Sequence, residues 1–354
     1  MDISEIDTPA LIIDLDALEA NIEKMGRFCH ENDCNLRPHI KVHKTPAIAH
    51  KQIQAGAIGV TCAKLGEAEV MAFSGIRQIL IANQIVGPIK LQRLAGVTRH
   101  ADVSVAFDDP QVAEAASREA LRQDTTIGAA IEVDIGMGRG GLQPGADVVA
   151  LAKKITKLEG LEFKGIMGYE GHLQQIDKMA DRVPQVTASL KLLTSTAKML
   201  KENGIATEFV SCGGTNTYNI SATFEGITEI QAGSYVFMDV EHDIEGLDFQ
   251  HSLSVMSTVT SRGGEHRALI DAGIKCFGAE PIFPRSVRKG IEVVSLSEEH
   301  GWLKTDGSAP AVGERLQFYP YYSPTAVNLY DKFYCVRKGR VEVQWDILGR
   351  GKSQ

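Results

Sequence analysis

The sequence predicts an α/β chain made of a parallel (β/α)8 TIM barrel and a C-terminal, mainly-β domain. Three observations predict it. Short apolar runs of strand length alternate with amphipathic stretches of helix length, a pattern that means parallel strands joined by crossover helices. Eight such strand candidates are packed into roughly 200 residues, which fits a closed barrel better than an open sheet. After about Asp239 the pattern changes to strand-like runs divided by Gly, Pro and charged turns.

Taken in order, Asp7-Thr8-Pro9 opens a short strand over 10–14. Helical spacing follows over 15–30, where Leu18, Ile22, Met25 and Cys29 recur on one face. Barrel strands are expected at 36–42, 58–62, 78–82, 103–107, 127–133, 163–167, 208–211 and 228–231. Amphipathic helices are expected at 46–54, 66–74, 89–98, 111–122, 146–158 and 183–203. The later strands are expected at 252–262, 267–271, 291–296, 315–318 and 341–345. The domain division that follows is a barrel over 15–240 and a β-rich domain built from 1–14 with 241–354.

Bulk properties set the function class. A chain of 354 residues is too long for one small core and suits a barrel plus a second domain. Its 44% apolar and 23% charged content is that of a globular protein. A net charge of −8 without a basic stripe argues against nucleic acid as a partner. No apolar run approaches the ~20 residues that span a bilayer. The acidic Met1-Asp2-Ile3-Ser4-Glu5 has no positive n-region, so a cytoplasmic protein is expected. The six scattered cysteines, with no CxxC, read as free thiols in a reducing compartment and speak against a thiolate zinc site.

The chemistry is expected at the C-terminal ends of the barrel strands. Arg37-Pro38-His39-Ile40-Lys41-Val42-His43-Lys44 crowds five cationic or imidazole side chains after the first barrel strand. A lysine among cations has its ammonium disfavoured, which makes its amine nucleophilic, as a Schiff-base lysine requires. Spacing alone equally fits a solvated lysine on a surface loop. After the fifth strand, Gly136-Met137-Gly138-Arg139-Gly140-Gly141 sets an arginine among glycines, suited to forking onto an anionic oxygen. After the seventh and eighth strands, Gly213-Gly214-Thr215 and Gly233-Ser234-Tyr235 have the make-up of a phosphate cradle. Gly168-Tyr169-Glu170-Gly171-His172 ends the sixth strand at the same rim. A low-pKa lysine, an arginine and a phosphate cradle at one barrel mouth suggest pyridoxal phosphate as cofactor.

These residues carry a resemblance. With Asp7-Thr8-Pro9, Glu67-Ala68-Glu69, Phe237-Met238-Asp239, Asp271-Ala272-Gly273, Ser297-Glu298-Glu299-His300-Gly301 and Val327-Asn328-Leu329-Tyr330-Asp331, the chain resembles a family along its whole length. That family is the D-threonine aldolase, 3-hydroxy-D-aspartate aldolase and D-serine dehydratase-like branch of the fold-type III pyridoxal phosphate enzymes, relatives of alanine racemase. The resemblance implies an alanine racemase N-terminal-like barrel, a β domain and a homodimer. It implies the Schiff base on Lys41, the phenolate contact on Arg139, and Tyr169 beside the pyridine ring. It assigns the phosphate to Gly213, Gly214, Thr215, Gly233, Ser234 and Tyr235.

One segment departs from the family. Where the family places a metal-binding His and, two residues on, an Asp or Cys, this chain has Tyr322 and Pro324. Proline has no donor side chain and tyrosine would have to ionise, so the divalent metal is expected to be absent. A protein acid or base must then take over, with Tyr322 first and His43, His39 and His172 as alternatives. Tyr322 also fits an aromatic that merely fills a vacated site. The function expected is a metal-free lyase cleaving Cα–Cβ of D-configured β-hydroxy amino acids to glycine and an aldehyde. Alternatives are a dehydratase that releases ammonia, a racemase or epimerase using Lys41 and Tyr322, and a non-catalytic pyridoxal phosphate-binding protein. The partner expected is a small amino-acid substrate, with no membrane or nucleic acid.

Overall fold

A computed structural model describes residues 1–354. Strand β1 (Ala10–Asp14) leads into helix α1 (Leu15–Glu31), whose first turn is capped by the Asp14 side chain accepting from the Ala17 N–H. The barrel strands follow: β2 (Asn35–Leu36), β3 (Val60–Cys62), β4 (Gln78–Gln84), β5 (Asp102–Phe107), β6 (Ile127–Glu132), β7 (Leu161–Met167), β8 (Phe209–Cys212) and β9 (Glu229–Ile230). All pair in parallel in the order β2-β9-β8-β7-β6-β5-β4-β3. The ring closes where His39 bridges Thr61 and the Ile58 and Thr61 amides donate to the Leu36 and Pro38 carbonyls.

Helices α2 (Pro46–Gln54), α3 (Leu65–Phe73), α4 (Pro88–Val97), α5 (Pro110–Arg122), α6 (Ala146–Ile155) and α7 (Met179–Glu202) surround this sheet, with a single turn α8 (Tyr218–Ser221) after β8. The strand alternation sorts side chains to two sides. Ile79, Ile81, Val105, Ile131 and Ile166 face the helices and join the main core. Leu80, Ala106, Ala130, Met167 and Phe209 form a separate cluster inside the barrel. Beside it Arg37 pairs with Glu229 at 2.9 Å, and Glu229 also accepts from Ser211 at 2.7 Å. This ion pair is shielded from water, and each Glu229 carboxylate oxygen has a donor, which helps a buried charge to be tolerated.

The second sheet holds β10 (Leu253–Arg262), β11 (Arg267–Ile270), β12 (Arg285–Ser286), β13 (Ile291–Leu296), β14 (Gly301–Thr305), β15 (Arg315–Tyr319), β16 (Lys332–Arg337) and β17 (Arg340–Asp346). The turns α9 (Ile274–Phe277) and α10 (Ser323–Val327) interrupt it. Its order is β11-β14-β13-β12-β15-β10-β1-β16-β17, and β11 also pairs with β10, curling six strands into a closed unit. β1 lies between β10 and β16. No helix is long and apolar enough to cross a membrane.

Three differences from the sequence expectation have physical causes. The strand expected over 36–42 stops at Leu36, because Pro38 has no N–H to continue the ladder, and Ile40–Val42 closes into a 3-10 turn. Helix α7 starts at Met179, ahead of the expected 183, leaving Pro184 inside it. Buried Arg182 anchors that extra turn by donating to the Ile176, Asp177 and Glu245 carbonyls. Strands β12, β14 and β16 were not expected; β14 alternates buried and exposed residues around Trp302, and its opening Gly301 breaks the strand signature.

Candidate active site

A cavity of about 650 Å³ opens at the C-terminal ends of the barrel strands. Lys41, His39, Arg139, Tyr169, Gly213, Gly214, Thr215, Gly233, Ser234 and Tyr322 all line it. The Lys41 turn is held from behind, where His39 Nδ1 accepts the Lys41 N–H at 3.5 Å. Lys41 Nζ lies 5.9 Å from the Tyr169 ring centre and the Arg139 guanidinium 5.6 Å from it, so the two cations flank one phenol. Burial lowers the Lys41 pKa most, and Arg139 lowers it further, against opposing pulls from Glu67 and Glu241. The direction agrees with a nucleophilic amine, but the cause is burial and a distant loop more than the neighbouring cations. Those are spent elsewhere: Arg37 on Glu229, and Lys44 on Glu67.

Arg139 is placed by its loop. Asp134 Oδ1 accepts from the Gly136 and Gly138 amides at 3.0 and 2.9 Å, and Asp108 accepts from Gly141 at 3.1 Å. Gly136 and Gly138 sit at φ 115° and 65°, where a side chain would strain the turn.

The Gly213–Thr215 and Gly233–Ser234 loops face each other across the cavity wall. The Thr215, Gly233 and Ser234 amides have no protein acceptor, although these residues are buried. Unpaired buried N–H groups are rare and mark an anion cradle when they converge. A Cβ on Gly233 would meet the His39 carbonyl oxygen at 2.6 Å, so the wall is bare backbone at this position. Glu170, fully buried, ties the loop down by accepting from the Gly213 amide at 3.3 Å and from the Thr217 and Ser221 hydroxyls at 2.6 and 3.1 Å. Gln174 accepts from the Asn216 amide and donates to Thr217. Neither Glu170 nor Gln174 was identified as a support from sequence, although Glu170 directly follows the rim residue Tyr169.

The opposite wall comes from the chain after the barrel. Val240 and Glu241 donate backbone N–H groups to the Pro320 and Tyr321 carbonyls at 3.2 and 2.9 Å, laying the two segments side by side. Asp239 hydrogen-bonds His242 Nδ1 and also accepts the Ser323 amide at 2.7 Å. The His242 ring stacks on Tyr322, with centres 6.4 Å apart and planes 15° from parallel. His242, Glu241 and Glu280 line the cavity here. Burial raises the Tyr322 pKa most, and Tyr169, Glu241, Asp239 and Glu280 raise it further, so the phenol stays protonated. The α10 turn packs against the Lys41 turn, bringing this wall over the amine.

The structure sets other expected residues apart. His43 is fully buried outside the cavity, bonded to Gln52 and accepting the Thr45 amide at 3.1 Å. Burial drives its pKa down to about 3 despite those bonds, so it is neutral and remote from the cavity. His172 is exposed and also lies off the cavity lining. Tyr235 is fully buried off the cavity lining: its hydroxyl accepts from Gln52, and its amide is taken up by donating to Thr215. Burial first, then Lys41 and Arg139, hold the His39 imidazole well below its usual pKa, hence neutral. No group of three or more His, Cys, Asp or Glu side chains converges as a metal site would require. The His242–Asp239 pair was missed, although an Asp and a His three residues apart on a 3-10 turn share one face.

Comparison with known proteins agrees with this layout. Residues 13–241 match the model of the alanine racemase N-terminal domain, and residues 252–336 match a serine dehydratase-type domain. A 3-hydroxy-D-aspartate aldolase of Paracoccus denitrificans is 35% identical over 100% of this chain and 94% of its own length. A D-threonine aldolase of an Arthrobacter species is 35% identical over 99% of this chain and 95% of its own. The crystal structure of D-threonine aldolase from Filomicrobium marinum superposes with a TM-score of 0.96 at 34% identity, covering 98% of this chain and 97% of that one. With the family model spanning more than half of its residues and full-length relatives above 30% identity, this chain belongs to the alanine racemase N-terminal domain family, in the branch that holds the D-threonine and 3-hydroxy-D-aspartate aldolases.

Proposed function

We propose that this chain is a pyridoxal phosphate-dependent lyase of D-configured β-hydroxy amino acids, which cleaves Cα–Cβ to release glycine and an aldehyde. The observation that carries the reading is the convergence of Lys41, Arg139 and the unpaired Thr215, Gly233 and Ser234 amides on one cavity. The full-length relatives named aldolases supply the reaction class. The residues present fit pyridoxal phosphate. Lys41 offers a partly buried amine for its aldehyde, the three amides suit its phosphate, and Arg139 and Tyr169 flank its ring position. When bound, this cofactor supplies a sink for the electron pair of the broken Cα–Cβ bond. Lys41, with its ammonium disfavoured, exchanges protons near Cα. The flanking walls keep bulk water from the reacting carbons.

The divalent metal of the resemblance does not fit. Pro324 has no donor, and burial holds the Tyr322 phenol protonated. We therefore read the reaction as metal-free. A phenol held protonated can donate a proton but does not readily accept one, which weakens the racemase alternative built on Lys41 and Tyr322. A homodimer, which the resemblance implies, belongs to the same proposal, as does a reducing compartment, which six free and buried cysteines support. The test is a panel of D- and L-β-hydroxy amino acids, with and without EDTA, assayed separately for aldehyde, keto acid with ammonia, and enantiomer. Aldehyde and glycine from D-substrates only are expected. Keto acid with ammonia would replace this reading by a dehydratase, and inversion alone by a racemase.

A further inference from the structure

The segment that turns into the cavity from the end of the barrel holds a histidine for which the reading so far has no use. Its backbone is unusual: Met238 adopts φ 46°, the left-handed region that branched or bulky residues avoid, and is pinned by its amide donating to the Ser234 carbonyl at 2.8 Å. Strain of this sort persists where surrounding structure enforces it, and it clusters at functional sites. Here it leads into the turn that sets His242 on the cavity lining, with Asp239 buried behind it. Asp239 is fully buried and engages both oxygens, Oδ1 on His242 Nδ1 and Oδ2 on the Ser323 amide. With Nδ1 fixed, the free nitrogen of His242 is Nε2, which has no protein partner on a ring that lines the cavity. A carboxylate that fixes one nitrogen and leaves the other facing a reaction space is the arrangement of a general base.

We propose that His242, oriented by Asp239, is the acid–base group acting on the substrate's β-oxygen. This rests on the lyase reading above. His242 Nε2 takes the proton of the β-hydroxyl, and the O–H pair becomes the second C–O bond of the departing aldehyde. The Cα–Cβ pair stays with the amino-acid fragment. Cα then takes up one proton, equal to the one His242 received, so substrate becomes glycine plus aldehyde with no further reactant. Tyr322, stacked on the ring and protonated, donates to the same oxygen or its neighbour. The charged groups facing the ring are Asp239, Glu241 and Lys41. Burial lowers the ring's pKa, but Asp239 and then Glu241 outweigh it, and the net direction is upward from 6.5. A base must be deprotonated to act, so turnover rises with pH through that pKa, giving an acid limb above 6.5.

The experiment uses the holoenzyme and the variants H242Q, D239N and Y322F. H242Q is expected to lose about 10²–10⁴-fold in kcat, the worth of a positioned acid–base group, while keeping the visible absorbance of bound cofactor. Asp239 is a positioning residue, and D239N is expected to move the acid limb to lower pH, a shift that loss of packing alone does not cause. Y322F is expected to keep the limb where it is. A second readout needs no turnover: the His242 ring, assigned by its absence in H242Q, is expected to titrate above 6.5 by NMR and to drop in D239N. Parental turnover in H242Q, an acid limb unmoved in D239N, or a ring titrating below 6.5 overturns the assignment. If the parent chain cleaves no member of the substrate panel, the lyase reading falls and this role with it; an active parent with an equally active H242Q removes only the role.

Discussion

Gly213, Gly214 and Gly233 present backbone to the cavity, whereas His242 and Tyr322 present side chains, with Asp239 buried behind His242. The first wall is built from barrel loops: Glu170 and Gln174 hold the 213–217 loop, and the Tyr235 amide on Thr215 ties the neighbouring loop to it. The second is brought together by two backbone bonds between segments some eighty residues apart, Val240 to Pro320 and Glu241 to Tyr321. A backbone wall binds what every member of such a family shares, because it offers N–H groups whatever the side chains are. A side-chain wall can be rebuilt by a few substitutions. On the metal-free reading proposed above, the contrast would let a chain keep its cofactor end while Tyr322 and Pro324 stand where the family's metal ligands are expected.

Substitutions in each wall test this division. Lys41→Ala has the largest expected effect, since it removes the one amine both walls face: turnover falls to background and the visible absorbance of bound cofactor disappears from the purified protein. Next comes Gly233→Ala. Its Cβ would press on the His39 carbonyl oxygen at 2.6 Å, so stability drops by about 1–3 kcal/mol, the cost of overpacking, and cofactor affinity measured by absorbance titration weakens. Glu170→Gln keeps the shape but loses charge toward three donors, and about 1–3 kcal/mol of stability is expected to go with it, read by chemical denaturation of the holoenzyme. If it left cofactor affinity and stability at parental values, the idea of a braced backbone wall would fail. The smallest effect is expected from EDTA, which should leave kcat unchanged; a loss restored by a divalent ion would show that the side-chain wall holds a metal after all.

Much of the barrel is legible in the sequence because its alternation is local. The expected helices over 46–54, 66–74, 89–98 and 111–122 differ from α2 to α5 by no more than a residue at either end. Lys41, Arg139 and the two glycine loops were readable because each sits at the end of a strand. The lost pieces differ in cause. Strand β16 turns into β17 through Lys338-Gly339, both at positive φ, a two-residue hairpin signal that went unused, and its other edge is filled by β1, three hundred residues earlier. The His242–Asp239 pair becomes a feature only when the Ser323 amide and Tyr322 stand next to it, and nothing in their spacing announces that meeting. His43 misled for the converse reason: beside Lys41 in sequence, it turns inward to Gln52.

The place of β1 has a consequence for how the molecule is made. Leu11 pairs with Val255 on one side and Phe333 on the other, so both edges of this apolar strand stay open while the ribosome completes the whole barrel. Exposed strand edges recruit other chains, and pairing across such separations is slow. The newborn protein therefore makes an apolar strand early and shelters its edges late. Translation pauses, chaperone supply and growth temperature should govern its yield in cells more than the stability of the finished fold does.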